Sequence, residues 1–162
     1  MAPLTVAGID PGTTRIGYAL VRRDANGASL LCAETIAVPG LGGAGERLAY
    51  LSRSLGKRLR RDRPNAVAVE KLYFSRNAKT ALAVAEARGI ILLTAHKLVP
   101  SIWEYAPLTV KLAVTGYGRA DKAHVHRAVR LALPGARLPN GDDAIDAIAI
   151  ALTAIHTRRI TA

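Results

Sequence analysis

The sequence predicts an α/β domain built on a five-stranded mixed sheet, with three antiparallel strands followed by two parallel strands and with helices on both faces. Two observations carry this prediction. Three apolar, strand-like segments joined by short turns open the chain, and the later strand-like segments alternate with segments whose apolar residues have helical spacing. At 162 residues the chain can bury one substantial core, so a single domain over 1–158 with a short tail at 159–162 is expected.

The first three strands are predicted to form an antiparallel meander. Residues 4–10 are a short apolar run that an Asp-Pro-Gly turn ends, and residues 15–23 alternate between larger and smaller side chains. Residues 24–27 have the composition of a hairpin turn, and residues 29–38 follow as a third strand. Connections this short join strands that lie antiparallel to each other.

The rest of the chain is predicted to alternate helices with strands. Leucines at three- and four-residue spacing predict a helix over 46–61, and small residues predict an alanine-rich helix over 78–93. Strands are predicted over 66–70 and 101–106. Further helices are predicted from Val110 to the closing Gly116, from the N-cap Asp121 to about Leu133, and from Asp142 to about Thr157.

Composition favours an anionic partner. The formal net charge is +11 and the isoelectric point is about 10.5, so nucleic acid is the first candidate and an anionic membrane surface the second. No apolar run approaches the roughly 20 residues that a membrane-spanning helix needs, and the N-terminus lacks the layout of a secretory signal. Cys32 is the single cysteine, which excludes a disulfide framework. We therefore expect a cytoplasmic protein with no membrane partner.

Two acidic residues are predicted to stand at strand ends. Asp10 closes the first strand and Glu70 closes the apolar strand 66–70. Strand ends of open mixed sheets are where ligands usually bind, and a glutamate at the end of a buried strand is costly unless it is paired or coordinated. Each residue also has a structural interpretation, because an Asp before Pro-Gly often bonds the turn backbone and Glu70 could serve a structural ion pair.

Two further acids begin the last helix. Asp143 and Asp146 stand three residues apart, so they share one helix face and repel each other unless a cation lies between them. The helix that follows is apolar nearly all round, which indicates burial, although solvated acids in a first turn are the alternative. Asp142 is a second candidate for the position of Asp143. An oxygen-only donor set predicts Mg²⁺ or Mn²⁺, with two ions in one site.

Basic residues suggest two surfaces. The loop after Glu70 combines aromatic and polar residues suited to stacking on an unpaired base and holding its phosphate. We predict that its DNA-binding residues are Tyr73, Phe74, Arg76, Asn77 and Lys79, although either aromatic could instead be a core plug. Residues 53–63 are the densest positive stretch, which we interpret as a solvated helix face.

The motifs together resemble the RuvC-type Holliday-junction resolvases, which are ribonuclease-H-like endonucleases. The resemblance covers nearly the whole chain. Its motifs are Gly8-Ile9-Asp10-Pro11-Gly12-Thr13, Val69-Glu70 with the following loop, Ala87-Arg88-Gly89, the segment from Val110-Lys111 through Gly116-Tyr117-Gly118 to Lys122, and the helix that starts at Asp143.

The resemblance implies a homodimer that makes paired nicks in a four-way DNA junction. It implies Mg²⁺ or Mn²⁺ at Asp10, Glu70, Asp143 and Asp146. It also implies base contact by Tyr73, and contact with DNA or assistance at the scissile phosphate by lysines at the positions of Lys111 and Lys122. We consider a branch-migration motor complex as a further partner.

Two other classes of function compete with the nuclease. The segment from Gly8 to Thr13 also resembles the first phosphate loop of sugar kinases and actin-like proteins, so a kinase-like ATPase is one alternative. Those enzymes need a second lobe, and this chain is short for that. A non-catalytic junction-binding module is the other alternative, because the basic surface alone would serve it.

Overall fold

The computed structural model describes residues 2–40, 42–72 and 78–158. Within these ranges the chain forms one five-stranded sheet in the order β3-β2-β1-β4-β5. The strands are β1 (Leu4–Asp10), β2 (Arg15–Asp24), β3 (Gly27–Ala37), β4 (Ala66–Glu70) and β5 (Ile102–Tyr105). Strand β2 pairs antiparallel with both β1 and β3, whereas β4 pairs parallel with both β1 and β5. The predicted mixed sheet is therefore confirmed.

Helices cover both faces of this sheet. They are α1 (Ala44–Asp62), α2 (Ala78–His96), α3 (Pro107–Thr115), α4 (Lys122–Ala132) and α5 (Asp142–Thr157). Side chains alternate across β1, so Val6 joins a core with α3, α4 and α5, while Ile9 joins a second core with α1 and α2. The sheet is thus buried on both sides, which explains why β1 and β4 are apolar almost throughout.

Helix α5 lies directly on β1 and β2 because glycines stand where it crosses them. A Cβ atom added at Gly8 would collide with the backbone oxygen of Ala147, and one added at Gly17 would collide with the backbone oxygen of Asp143. Both glycines are therefore required by the close approach of helix and sheet. This approach brings the first turn of α5 to the sheet edge where β1 ends.

The predicted helix and strand boundaries agree closely with the structure, and the two helices α3 and α2 differ from the prediction at one end each. Helix α3 begins at Pro107 and not at Val110, because proline at the first helical position needs no backbone hydrogen bond and already has helical φ. Helix α2 continues to His96, beyond the predicted end at Leu93. Within the described residues, no helix is both long and apolar enough to cross a bilayer.

Candidate functional site

Two acidic residues stand at the carboxyl ends of adjacent parallel strands. Asp10 is the last residue of β1 and Glu70 is the last residue of β4. The register pairs Ile9 with Val69, so the two acids that follow lie side by side at one edge of the sheet. Topology alone therefore brings together two residues that are far apart in the sequence.

The first two turns of α5 bring two more acids to the same edge. Asp146 and Glu70 line one pocket of about 230 Å³, which Lys111 from α3 and Lys122 from α4 also line. Asp143 is close enough to Asp10 to raise its pKa. Four elements thus contribute charged groups to one recess, which two acids and two lysines line.

The pKa values show that the acids are buried and repel one another. Burial, and then the charges of Asp146, Glu70 and Asp143, raise the pKa of Asp10 to about 8. Burial and the charge of Asp146 raise the pKa of Glu70 to about 7. Burial is also the main cause that raises the pKa of Asp146. A cluster of carboxyl groups that resists ionisation in this way is one that a cation would stabilise.

Asp143 and its neighbour Asp142 have different surroundings. Arg15 Nη2 lies 2.8 Å from Asp143 Oδ2, but the orientation does not make a hydrogen bond, so this buried oxygen has no hydrogen-bond partner among the described residues. Asp142 is exposed, and its Oδ2 accepts a hydrogen bond from Lys122 Nζ at 3.0 Å. His126 Nε2 lies 3.5 Å from the other oxygen of Asp142. Asp143 therefore has a buried oxygen that is ion-paired with Arg15 but accepts no hydrogen bond, whereas Asp142 bonds Lys122.

The two lysines act on the acids electrostatically. Lys111 lowers the pKa of Glu70, and Lys122 lowers the pKa values of Asp10 and Asp146, in each case against the larger effect of burial. Hydrogen bonding to Asp142 in turn raises the pKa of Lys122, so its amine stays protonated.

Part of the predicted DNA-binding loop cannot be compared with the structure. Tyr73, Phe74, Arg76 and Asn77 lie outside the described residues, and Lys79 is described only as a position within α2. Their predicted contacts with DNA stay predictions.

Sequence reasoning did not identify Arg15 as a site residue. It begins β2, the strand that pairs with β1, and the register of Asp10 with Gly17 places it at the acidic edge. The hairpin-like pairing of the first two strands was the signal that could have found it, since it predicts that the start of β2 faces the end of β1.

The donor set suits a hard divalent cation. The four acids offer only oxygen atoms, and Asp143 contributes a buried oxygen that lacks a hydrogen bond. As the side chains stand, however, no group of three or more His, Cys, Asp or Glu residues in the described part of the chain is arranged to hold a metal ion. The four acids fit such an ion by the chemistry of their oxygen donors, and the raised pKa values of Asp10 and Glu70 are those that a nearby cation would lower.

Comparison with known proteins gives matches over nearly the whole chain. The family model described as crossover junction endodeoxyribonuclease RuvC matches residues 6–154. A protein of that description from Syntrophomonas wolfei is 41% identical over 158 residues, which are 98% of this chain and 92% of the relative. Another, from Rubrobacter xylanophilus, is 40% identical over 157 residues, which are 97% of this chain and 88% of the relative.

Solved structures give the same result. The structure of Thermus thermophilus RuvC in complex with a Holliday junction substrate matches with a TM-score of 0.86 and 37% identity, covering 94% of this chain and 93% of that one. A yeast mitochondrial Holliday junction resolvase matches with a TM-score of 0.68 at 14% identity, covering 93% and 77%, which is a likeness of fold alone. The predicted ribonuclease-H-like architecture is confirmed by these likenesses.

Proposed function

We propose, from the premise that this chain belongs to the RuvC family of crossover junction endodeoxyribonucleases, that it cleaves four-way DNA junctions by hydrolysing phosphodiester bonds. The observation that carries the proposal is the convergence of Asp10, Glu70 and Asp146. These acids come from three different elements; the charges of Asp146 and Glu70 raise the pKa of Asp10, and the charge of Asp146 also raises the pKa of Glu70. A purely structural role for them would require partners that neutralise their charge, and burial without such partners is costly.

The proposed catalytic residues are the four acids Asp10, Glu70, Asp143 and Asp146, with Lys122 beside them. Ionised carboxylates here would hold two divalent ions, for which Mg²⁺ or Mn²⁺ is the proposed identity. When bound, the ions would supply an activated water for in-line attack and would stabilise the leaving oxygen.

The lysines and Arg15 have separate proposed tasks. Lys111 and Lys122 line the pocket as cations that can bind the oxygens of a phosphate placed against the acids. Arg15 holds Asp143 at 2.8 Å and so fixes the position of a carboxylate that would otherwise be repelled by Asp10. Asp142 holds Lys122 at the rim of the pocket by its hydrogen bond.

The experiment that tests the site uses isosteric variants of two acids. We expect Asp10→Asn and Glu70→Gln to cleave a synthetic junction at about 1% of the wild-type rate or less, because removing one group that stabilises a transition state typically costs 10²–10³ in rate. Both variants should still bind the junction, since the cationic surface is unchanged. A gel-shift assay alongside cleavage measures both quantities. A variant that cleaves at the wild-type rate would remove that residue from the catalytic set.

The loop after β4 is the proposed contact with unpaired bases at the branch point. It follows Glu70 directly in the chain, so any base it holds lies next to the acidic edge. Tyr73 and Phe74 are proposed to stack on bases, and Arg76, Asn77 and Lys79 to hold the adjoining backbone. Alanine substitutions at Tyr73 and Phe74 should weaken junction binding more than duplex binding in fluorescence anisotropy.

A homodimer is proposed through the outer face of α2. The inner face of this helix is buried in the core through Ala87 and Ile91, yet Leu82 and Leu93 on the helix are 68% and 50% exposed. Gly89 has open space where a side chain would be, so another helix can approach closely. Sedimentation of a Leu82→Glu, Leu93→Glu double variant should show a monomer where the wild type is a dimer. A monomeric wild type at micromolar concentration would contradict this arrangement and the paired incision.

The competing classes are less well supported. A kinase-like ATPase needs a second lobe, whereas the relatives are covered over 88–92% of their own length by this one domain. A binding-only module has no use for buried acids that repel one another. Delivery by a branch-migration motor complex, and a cytoplasmic site of action on DNA, stay proposals that follow from the proposed substrate.

A further inference from the structure

The outer face of α1 carries an unusual row of side chains. Tyr50, Arg53, Lys57 and Arg60 are spaced three and four residues apart, so they lie on one face of the helix, and all four are exposed. We call these four residues the α1 stripe. It extends about 15 Å along the helix axis, given a rise of 1.5 Å per residue.

The charges of the α1 stripe are free, unlike those of the neighbouring arginines. Arg58 is paired with Glu34, and Arg61 is paired with Asp62. Among the described residues, Arg53, Lys57 and Arg60 form no ion pair; the α1 stripe is therefore a row of cations with no internal counter-charge.

The acid that precedes the α1 stripe on this helix face, Glu46, caps the start of the helix. Glu46 Oε2 accepts a hydrogen bond from the backbone N–H of Gly43 at 3.0 Å, which caps the start of α1. Its charge therefore serves the helix terminus.

Helix stabilisation does not account for the stripe. Cations favour the last turn of a helix, and Arg60 lies there, but the effect falls off within one turn and does not reach Arg53 or Lys57. Arg53 and Lys57 are like charges at i,i+4, which is an unfavourable pairing on an isolated helix. An anion lying along the stripe would attract each of these cations and so offset their mutual repulsion.

The α1 stripe begins beside the acidic edge of the sheet. Strand β3 ends at Ala37, which pairs with Arg15, and α1 starts at Ala44 just after it. A recess of about 350 Å³ lies at this end of the helix, and Tyr50 and Arg53 both line it. The start of α1 and this recess therefore lie toward the end of the sheet that carries the acids.

We propose that the α1 stripe binds the sugar–phosphate backbone of a duplex arm of the DNA substrate, with Arg53, Lys57 and Arg60 contacting successive phosphates and Tyr50 packing against a sugar. The inference rests on the proposed function and adds a second contact surface to it. The helix is a firm platform, since Leu51, Leu55 and Leu59 anchor its opposite face in the core. Contacts of this kind fix the position of DNA without reading its sequence.

The test compares two triple variants with the same change in charge. The first is Arg53→Gln, Lys57→Gln, Arg60→Gln. The control is Lys97→Gln, Arg130→Gln, Arg137→Gln, three exposed cations without ion pairs among the described residues and located elsewhere on the molecule. Each lowers the formal net charge from +11 to +8. A third variant, Arg53→Lys, Lys57→Arg, Arg60→Lys, keeps the charge of the stripe.

Junction binding is measured as a function of salt concentration in the presence of chelator. Each lost phosphate contact should reduce the slope of log K against log salt by about 0.9, so the stripe variant should lose about 2 to 3 in slope and on the order of tenfold or more in affinity. The control and the charge-preserving variant should keep the wild-type slope. Thermal unfolding of each variant should show that α1 is intact.

Two outcomes would overturn the inference. One is an unchanged slope in the stripe variant, and the other is an equal loss in the control, which would indicate only a general effect of net charge. A wild-type chain that binds junctions without cleaving them would contradict the proposed function instead, and the salt slopes would still decide whether α1 contacts the DNA.

Discussion

At Asp10 the sequence places a carboxyl group where ionisation is unfavourable. Burial and three neighbouring acids raise its pKa to about 8, far above its usual value of 3.8. The protein tolerates this arrangement at a cost in stability, as functional sites commonly do. We therefore expect that ionisation of Asp10 lowers the free energy of unfolding of the metal-free protein.

The first prediction concerns Asp10→Asn. The folded-state pKa of Asp10 lies above the unfolded value, so the free energy of unfolding falls as pH rises from about 4 to about 8. Asparagine removes this loss. At pH 8 in chelator, the variant should be more stable than wild type by at least about 1 kcal/mol, because one pKa unit corresponds to 1.36 kcal/mol.

Chemical denaturation at pH 5 and pH 8 measures this difference. The matched control is Asp142→Asn, which removes an exposed acid whose pKa is lowered by Lys122 and should give no such gain. A loss of stability in Asp10→Asn at pH 8 would show that Asp10 has a structural partner.

Single residues also show how far the sequence alone could predict the site. Asp10, Glu70, Asp143 and Asp146 were predicted because strand ends and a buried helix start are recognisable in sequence. Arg15 was missed because the pairing of the first two strands predicts only that it lies near the end of β1, whereas its contact with Asp143 depends on the packing of α5 against β2. Asp142 and Asp143 could not be separated by spacing, whereas their burial differs clearly.

Among the elements, α5 depends most on a close approach to its neighbours. The second prediction compares the effects on stability of alanine at two glycines, Gly17 and Gly56. Gly17→Ala places a Cβ against the backbone oxygen of Asp143, which cannot move without displacing the helix. We expect a loss of about 1–3 kcal/mol, as in other overpacked cores, together with reduced cleavage.

Gly56 in α1 is the matched contrast. The nearest atoms to a Cβ there would be those of the Arg60 guanidinium, the far end of a flexible side chain, at 3.3 Å or more, and the backbone φ is not positive. Gly56→Ala should therefore stabilise the protein by about 0.5–1 kcal/mol through better helix propensity. Thermal unfolding of both variants measures the two effects. Equal destabilisation would mean that α1 is packed as tightly as α5.

A third prediction concerns the tie between β2 and α1. The hydroxyl of Tyr18 donates a hydrogen bond of 2.7 Å to Asp62 Oδ2, and Arg61 and this bond lower the pKa of Asp62. Tyr18→Phe should cost about 1.5–3 kcal/mol at pH 7, the usual value for a bond to a charged group.

This cost should depend on pH. The folded-state pKa of Asp62 lies below its unfolded value, so its contribution is present above about pH 4 and is lost as pH falls through the folded pKa. Urea denaturation at pH 7 and pH 3 should therefore show a smaller effect of Tyr18→Phe at pH 3. An equal effect at both pH values would indicate lost packing instead of a lost charged hydrogen bond.

Elements were predicted well where a single pattern decides them. Strands β1 and β4 are apolar runs ended by an acid, and α4 starts at the N-cap Asp121, whose side chain accepts a bond from the backbone N–H of His124. The start of α3 was misplaced because Pro107 can end one segment or open the next, and the sequence does not distinguish these cases.

For the whole molecule, the order of the elements predicted the mixed sheet, but the pocket required the fold itself. Lys111 and Lys122 face the acids only because α3 and α4 pack beside α5, and that arrangement follows from long-range contacts. The distribution of charge likewise depends on the fold. An acidic recess within a chain of net charge +11 is a property of the folded surface.

The most direct measurement is the mapping of nicks in a synthetic four-way junction incubated with the wild-type chain. With Mg²⁺, we expect nicks at symmetric positions on two opposed strands, and with chelator we expect intact DNA. Identical intact junctions under both conditions, from a protein that binds the junction, would contradict the claim that the four acids form a metal-dependent nuclease site.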